Sequence, residues 1–112
     1  LPRLIGLQRA SALMITGDKV SAADALQMGM IYKVFEDATF MADALKFAAG
    51  IADMPTKGIG LTKRLLNESF YNTYDKQIQF ESFIQTEAAA SYDYNEGVKA
   101  FLEKRKPEFK GE

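Results

Sequence analysis

The side chains that most often do chemistry are missing from this chain. It contains no histidine and no cysteine, so the commonest general base, the commonest zinc ligand and the thiol nucleophile are all absent. A disulfide framework is excluded for the same reason. Any catalysis by these residues has to rest on Asp, Glu, Lys, Tyr or Ser. Lys104-Arg105-Lys106 is a compact cationic run suited to phosphate, but beside Glu103 and Glu108 it also reads as an ordinary solvated tail. Gly58-Ile59-Gly60 resembles a phosphate loop without the preceding strand or the third glycine, so it reads as a loose helix start. Asp24 and Glu96 read as helix-terminal carboxylates favoured by the macrodipole. Glu87, between Ile84 and Ala88, reads as a partly buried carboxylate or a member of an interface salt bridge. Tyr71, Tyr74, Tyr92 and Tyr94 read as packing groups with polar tips. No catalytic set and no metal-ligand set emerges.

The chain has 112 residues, 47% of them hydrophobic, with 14 basic and 15 acidic side chains and a net charge of -1. That balance points away from nucleic acid and from a membrane surface as main partners. No apolar run approaches the roughly 20 residues needed to span a bilayer, and nothing resembles a targeting peptide, so a cytoplasmic location is expected. The opening Leu1-Pro2-Arg3-Leu4-Ile5-Gly6-Leu7 is already half apolar and has no initiator methionine. It reads as if the text began in the middle of a fold, which leaves open a small protein with a buried N-terminus or the back part of something larger.

The elements that must position any site are mostly helices. Leu7 to Thr16 is a predicted helix stopped by Gly17. Ser21 and Asp24 form a short-armed capping box, with the Asp24 carboxylate expected to reach the Ser21 amide, ahead of a helix over Ala22 to Met28. Met30 to Phe35 is β-branched and aromatic, the one predicted strand. Helices are expected over Ala38 to Asp53, Ile59 to Asn67 with Thr56 as N-cap, Tyr74 to Ser91, and Asn95 to Lys104. The lone strand requires pairing partners that the rest of the chain does not offer. The apolar residues of the long helix, among them Phe80, Phe83, Ile84 and Ile78, spread over roughly 240° where a single core needs a stripe of little more than about 100°. Burial on two sides, one of them a subunit interface, is the expected explanation.

These segments resemble a known family. "LPRLIGLQRASALMITGDKVSAADALQMGMIYKVF" is similar to the segment that follows the active-site loop in the crotonase superfamily of enoyl-CoA hydratases and isomerases. The carrying residues are the Leu1 to Gly6 turn, Thr16-Gly17, and Ala22, Ala25, Gly29 and Met30. "EGVKAFLEKRKPEF", Glu96 to Phe109, resembles the closing motif of that family. The longer stretch from Tyr71 is most similar to the isomerases of ring-epoxidised phenylacetyl-CoA and 2,3-dehydroadipyl-type thioesters in phenylacetate catabolism.

The resemblance implies a mainly α chain: the C-terminal helical, trimer-building portion of a crotonase ββα-spiral fold, with one short edge strand left from the core. Residues 1–36 would be the last edge of that core, and residues 37–112 the helical oligomerisation region. It implies an acyl-CoA thioester as substrate, no permanently bound cofactor, and self-association as trimer or hexamer. The family's oxyanion hole polarises the thioester carbonyl while carboxylates move protons. Those groups lie upstream of the Leu-Pro-Arg turn, so no catalytic residue is implied in this chain and the chain alone is expected to be inactive. One role does fall within it: Lys104, with Phe101 before it, corresponds to the position that reaches a neighbouring subunit's coenzyme A. Where many hydratases carry an aromatic lining that site from the long helix, this chain has Gln85. The alternative from another class is a free-standing helical interaction module without chemistry.

Overall fold

A computed structural model describes residues 1–112. Seven helices follow one another: α1 (Pro2–Ile5), α2 (Leu7–Thr16), α3 (Ala22–Gln27), α4 (Phe40–Ala52), α5 (Thr56–Ser69), α6 (Tyr74–Ala89) and α7 (Tyr92–Leu102). They fall into two compact units, Leu1–Ala44 and Leu45–Glu112. No helix is long and apolar enough to cross a membrane.

The first unit starts with a turn of helix where the sequence suggested only a turn. Pro2 suits a first helical position, because an amide there has no intrahelical partner to lose. Gly6, at φ 81°, separates α1 from α2, and α1 packs on α2. Ile5, Ala10 and Ala25 are the buried apolar residues of this unit. The stop at Gly17 is as expected: its φ is 68° and its N–H donates to the Leu13 carbonyl at 3.0 Å.

Ser21 caps α3 by accepting from the Asp24 amide at 3.0 Å. The return arm of the capping box differs from expectation. The Asp24 carboxylate accepts from the Ser21 hydroxyl at 2.6 Å, and no bond to the Ser21 amide forms. Aspartate is one methylene shorter than the glutamate that normally spans this distance. At the other end, Met30 N–H donates to Ala25 O at 2.8 Å and Gly29 N–H to Leu26 O at 3.0 Å. With Gly29 at φ 76°, this is a complete Schellman turn.

The predicted strand over Met30–Phe35 does not form in this chain. Beyond Ile31, which still bonds back to Ala25, residues 33–36 carry no regular structure, and no strand is present anywhere. The cause is the absent partner: β-branched side chains favour an extended backbone, but a ladder needs a second extended segment. Phe35 instead sets its ring edge-on to Phe40 at 6.2 Å.

In the second unit α5 and α7 both pack on α6, and Leu61, Ile84 and Ala100 are its buried apolar residues. α5 begins at Thr56, so Thr56 is the first helical residue and Pro55 takes the cap position. Gly58 and Gly60 lie within the helix, and the Gly58 carbonyl accepts from the Thr62 hydroxyl at 2.9 Å. The helix-start reading of that glycine pair therefore stands. On α6 the half-buried and buried residues are Gln77, Phe80, Glu81, Ile84 and Ala88, a narrow stripe at helical spacing. Phe83 and Ile78, on the rest of the apolar arc, are 61% and 48% exposed. Glu87 is exposed as well, outside the buried stripe. α4 buries none of its residues, although Phe40, Met41, Leu45, Phe47 and Ile51 are all large and apolar.

The Gly29 turn yields a test. A methyl group there would meet only the Leu4 carbonyl, at an ordinary 3.9 Å, so space is not limiting. The left-handed backbone is, and Gly29→Ala is expected to lower stability by about 1–2 kcal/mol, read as a shift in urea midpoint.

Candidate functional site

The C-terminal end of α7 and the chain beyond it hold most of the polar organisation of the second unit. α7 begins at Tyr92, capped by Ser91, whose hydroxyl accepts from the Tyr94 amide at 3.1 Å and donates to the Ala88 carbonyl at 2.6 Å. That start lies ahead of the expected Asn95. It carries Glu96 into the body of the helix, so the reading of Glu96 as a helix-terminal carboxylate is corrected. Asp93 and Glu96, three residues apart, share one face of α7.

Both carboxylates face the tail that folds back along the helix. Asp93, only 2% exposed, accepts from the Lys110 amide at 2.7 Å and the Gly111 amide at 2.9 Å, one on each oxygen. Its own amide donates to the Glu112 carbonyl at 3.1 Å. Glu96 holds the Arg105 guanidinium bidentately, at 2.5 Å and 2.9 Å, and accepts from the Glu108 amide at 2.9 Å. The Arg105 Nε donates in turn to Glu103 at 2.6 Å. Phe109 lies against α7 at Gly97, with its ring 3.6 Å from where a Cβ would stand. Lys110 places its ammonium 4.3 Å from the centre of the Tyr92 ring.

The strongest electrostatic consequence is on Glu96. The hydrogen bond from Arg105, then that from the Glu108 amide, lowers its pKa from 4.5 to about 2. The same pair raises the already high pKa of Arg105. Both groups are therefore charged through the whole neutral range.

Lys104 sits between Glu103 and Arg105, whose side chains are joined to each other. It is the one non-glycine residue with a positive φ, 54°. Its N–H donates to the Phe101 carbonyl at 3.2 Å, and the Arg105 N–H donates to the Ala100 carbonyl at 3.0 Å. These two bonds make a Schellman turn with lysine in the place that glycine usually fills, at a cost of roughly 1 kcal/mol. The Lys104 side chain is exposed and takes part in no hydrogen bond and no ion pair. Phe101 is 82% exposed. The structure thus brings the two predicted site residues together at one turn, both open to solvent. Phe101 borders an apolar groove of about 470 Å³ that also involves Tyr94, Val98, Leu102 and Phe109.

No group of three or more acidic, histidine or cysteine side chains is assembled that could hold a metal ion. Asp93, Glu96 and Glu103 are engaged in holding backbone and side chains. Chemically, the arrangement can present an exposed cation and an exposed aromatic to an anionic, partly apolar ligand. The residues that sequence reasoning missed are Asp93 and Arg105. Their signals were present: Asp93 and Glu96 at i, i+3 spacing, and Pro107 shortly after a charged helix end, where a chain turns back.

An all-helical chain with a cationic, aromatic-flanked closing turn narrows the class, and comparison with known proteins resolves it. The family model described as enoyl-CoA hydratase/isomerase matches residues 1–112, and the chain belongs to that family. It is 43% identical over 111 residues to 1,2-epoxyphenylacetyl-CoA isomerase of Escherichia coli K12, covering 99% of this chain and 42% of the relative. It is 34% identical over 111 residues to a probable enoyl-CoA hydratase of Rhodobacter capsulatus, covering 99% of this chain and 43% of that protein. Among solved structures, a putative enoyl-CoA hydratase/isomerase from Mycobacterium abscessus superposes with a TM-score of 0.94 at 32% identity, over 99% of this chain and 43% of the other. The chain thus spans less than half the length of the curated relatives it matches.

The Glu96 pair carries a pH prediction. A carboxylate whose pKa falls on folding adds stability that is present above its unfolded value and lost as pH drops through the folded one. Stability is therefore expected to decline between pH 4.5 and about 2. Glu96→Gln is expected to flatten that part of the profile, measured as denaturant midpoint against pH.

Proposed function

We propose that this chain is the C-terminal part of an acyl-CoA hydratase or isomerase that works through a thioester enolate. Within it, residues 37–112 serve self-association as trimer or hexamer, and Lys104 contacts the coenzyme A of a neighbouring subunit. The observation that carries the reading is the family match along the whole chain. The 43% identity to an isomerase of a ring-epoxidised aromatic thioester supports a substrate of that class. A cytoplasmic location and a substrate that arrives as free acyl-CoA, with no permanent cofactor, complete it.

The roles follow from physical chemistry. Coenzyme A carries phosphates beside a flat base, and an unpaired ammonium next to an open aromatic suits both features. The exposed apolar residues of α4 and α6 are what an element buried only on assembly would show. They also weigh against a free-standing module with a closed core. The carboxylates and oxyanion-hole amides that perform the chemistry are proposed to lie outside this chain, which leaves it inactive alone.

The test uses the full-length protein. Lys104→Ala is expected to raise KM for an enoyl-CoA by roughly five- to tenfold, the size of a partly solvated charge contact of ~1 kcal/mol, with the effect in KM rather than kcat. Unchanged KM would remove the coenzyme A role from Lys104. Robust 2-enoyl-CoA turnover by the 112-residue chain alone would overturn the assignment of the catalytic groups elsewhere.

A further inference from the structure

We infer that the Glu96–Arg105 pair is a positioning device for Lys104, and that Glu96 acts on the phosphate contact without touching the ligand. The inference rests on the proposed role of Lys104 and adds to it the residues that make the role possible.

Three observations converge. Lys104 occupies a left-handed backbone position that lysine does not favour by itself, so something else must hold it there. The residues on both sides of it are tied together, since Arg105 donates from Nε to Glu103 and from both terminal nitrogens to Glu96. Glu96 is fixed in turn by its place inside α7 and by the Glu108 amide, so the turn is referenced to the helix on one side and to the folded-back tail on the other. Lys104 is left as the cation of this turn with no partner. Arg105 also occupies both carboxylates, Glu96 and Glu103, leaving Lys104 outside that network. The arrangement directs the ammonium outward and keeps it available to an external phosphate.

Positioning and simple electrostatics make opposite predictions. By charge alone, removing a carboxylate near a cationic site strengthens anion binding. If Glu96 acts through the geometry of the turn, its loss weakens binding instead. In the full-length enzyme, Glu96→Ala is expected to raise KM for the enoyl-CoA by about threefold with little change in kcat. In a Lys104→Ala background the same substitution is expected to change KM by less than about 1.5-fold, because the group it positions is gone. Glu96→Gln, which keeps an acceptor for the Glu108 amide, serves where the alanine variant fails to fold, and the same non-additivity is expected of it. A KM that falls, or effects that add in the double variant, would overturn the inference while leaving Lys104 as a ligand contact. Lack of any effect from Lys104→Ala alone would instead defeat the reading on which it rests.

Discussion

Two carboxylates on one face of the last helix carry the organisation of the second unit's C-terminal end. Asp93 and Glu96 lie one turn apart, and between them they accept three tail amides and a bidentate guanidinium. An irregular tail has no ladder to satisfy its backbone donors, so its amides must find acceptors elsewhere. The two side chains supply them. Removing the Asp93 carboxylate would leave the Lys110 and Gly111 amides without that acceptor, and a buried unpaired donor costs about 1–3 kcal/mol. This constraint sets the path of residues 106–112, the seat of Phe109 and the frame around Lys104.

The same end of the molecule joins structure to function. The chain belongs to the enoyl-CoA hydratase/isomerase family and contains no histidine and no cysteine. The unoccupied Lys104 ammonium contrasts with Arg105 beside it, whose nitrogens are engaged by two carboxylates and a carbonyl. Two neighbouring cations of the same run thus have opposite employments. One holds the tail to the helix, and the other has an exposed side chain without a partner.

Much of the helical framework was legible in the chain. The Ser21 cap, the Gly17 stop, the apolar rhythm of α4 and the helical character of Gly58-Ile59-Gly60 each rest on interactions within a few residues, which local sequence encodes. The reading failed where a partner was needed. Met30–Phe35 has strand composition, but without a neighbouring strand it has no ladder. The start of α7 was placed late because Ser91 looked like the end of α6, whereas its hydroxyl bridges the two helices by donating to Ala88 and accepting from Tyr94.

The sequence by itself determined which residue types were available, where helices begin and end to within a few positions, and the resemblance carried by the Leu1 to Gly6 turn and the Glu96 to Phe109 motif. It also put Lys104 and Phe101 forward. Only the tertiary structure decided that Arg105 closes onto Glu96, nine residues back, that Asp93 receives the last turn of the tail, and that Lys104 takes a positive φ. The physical reason is range. Caps and stops are short-range bonds along one helix, whereas a tail's route depends on which distant acceptors come within reach once the helix has formed.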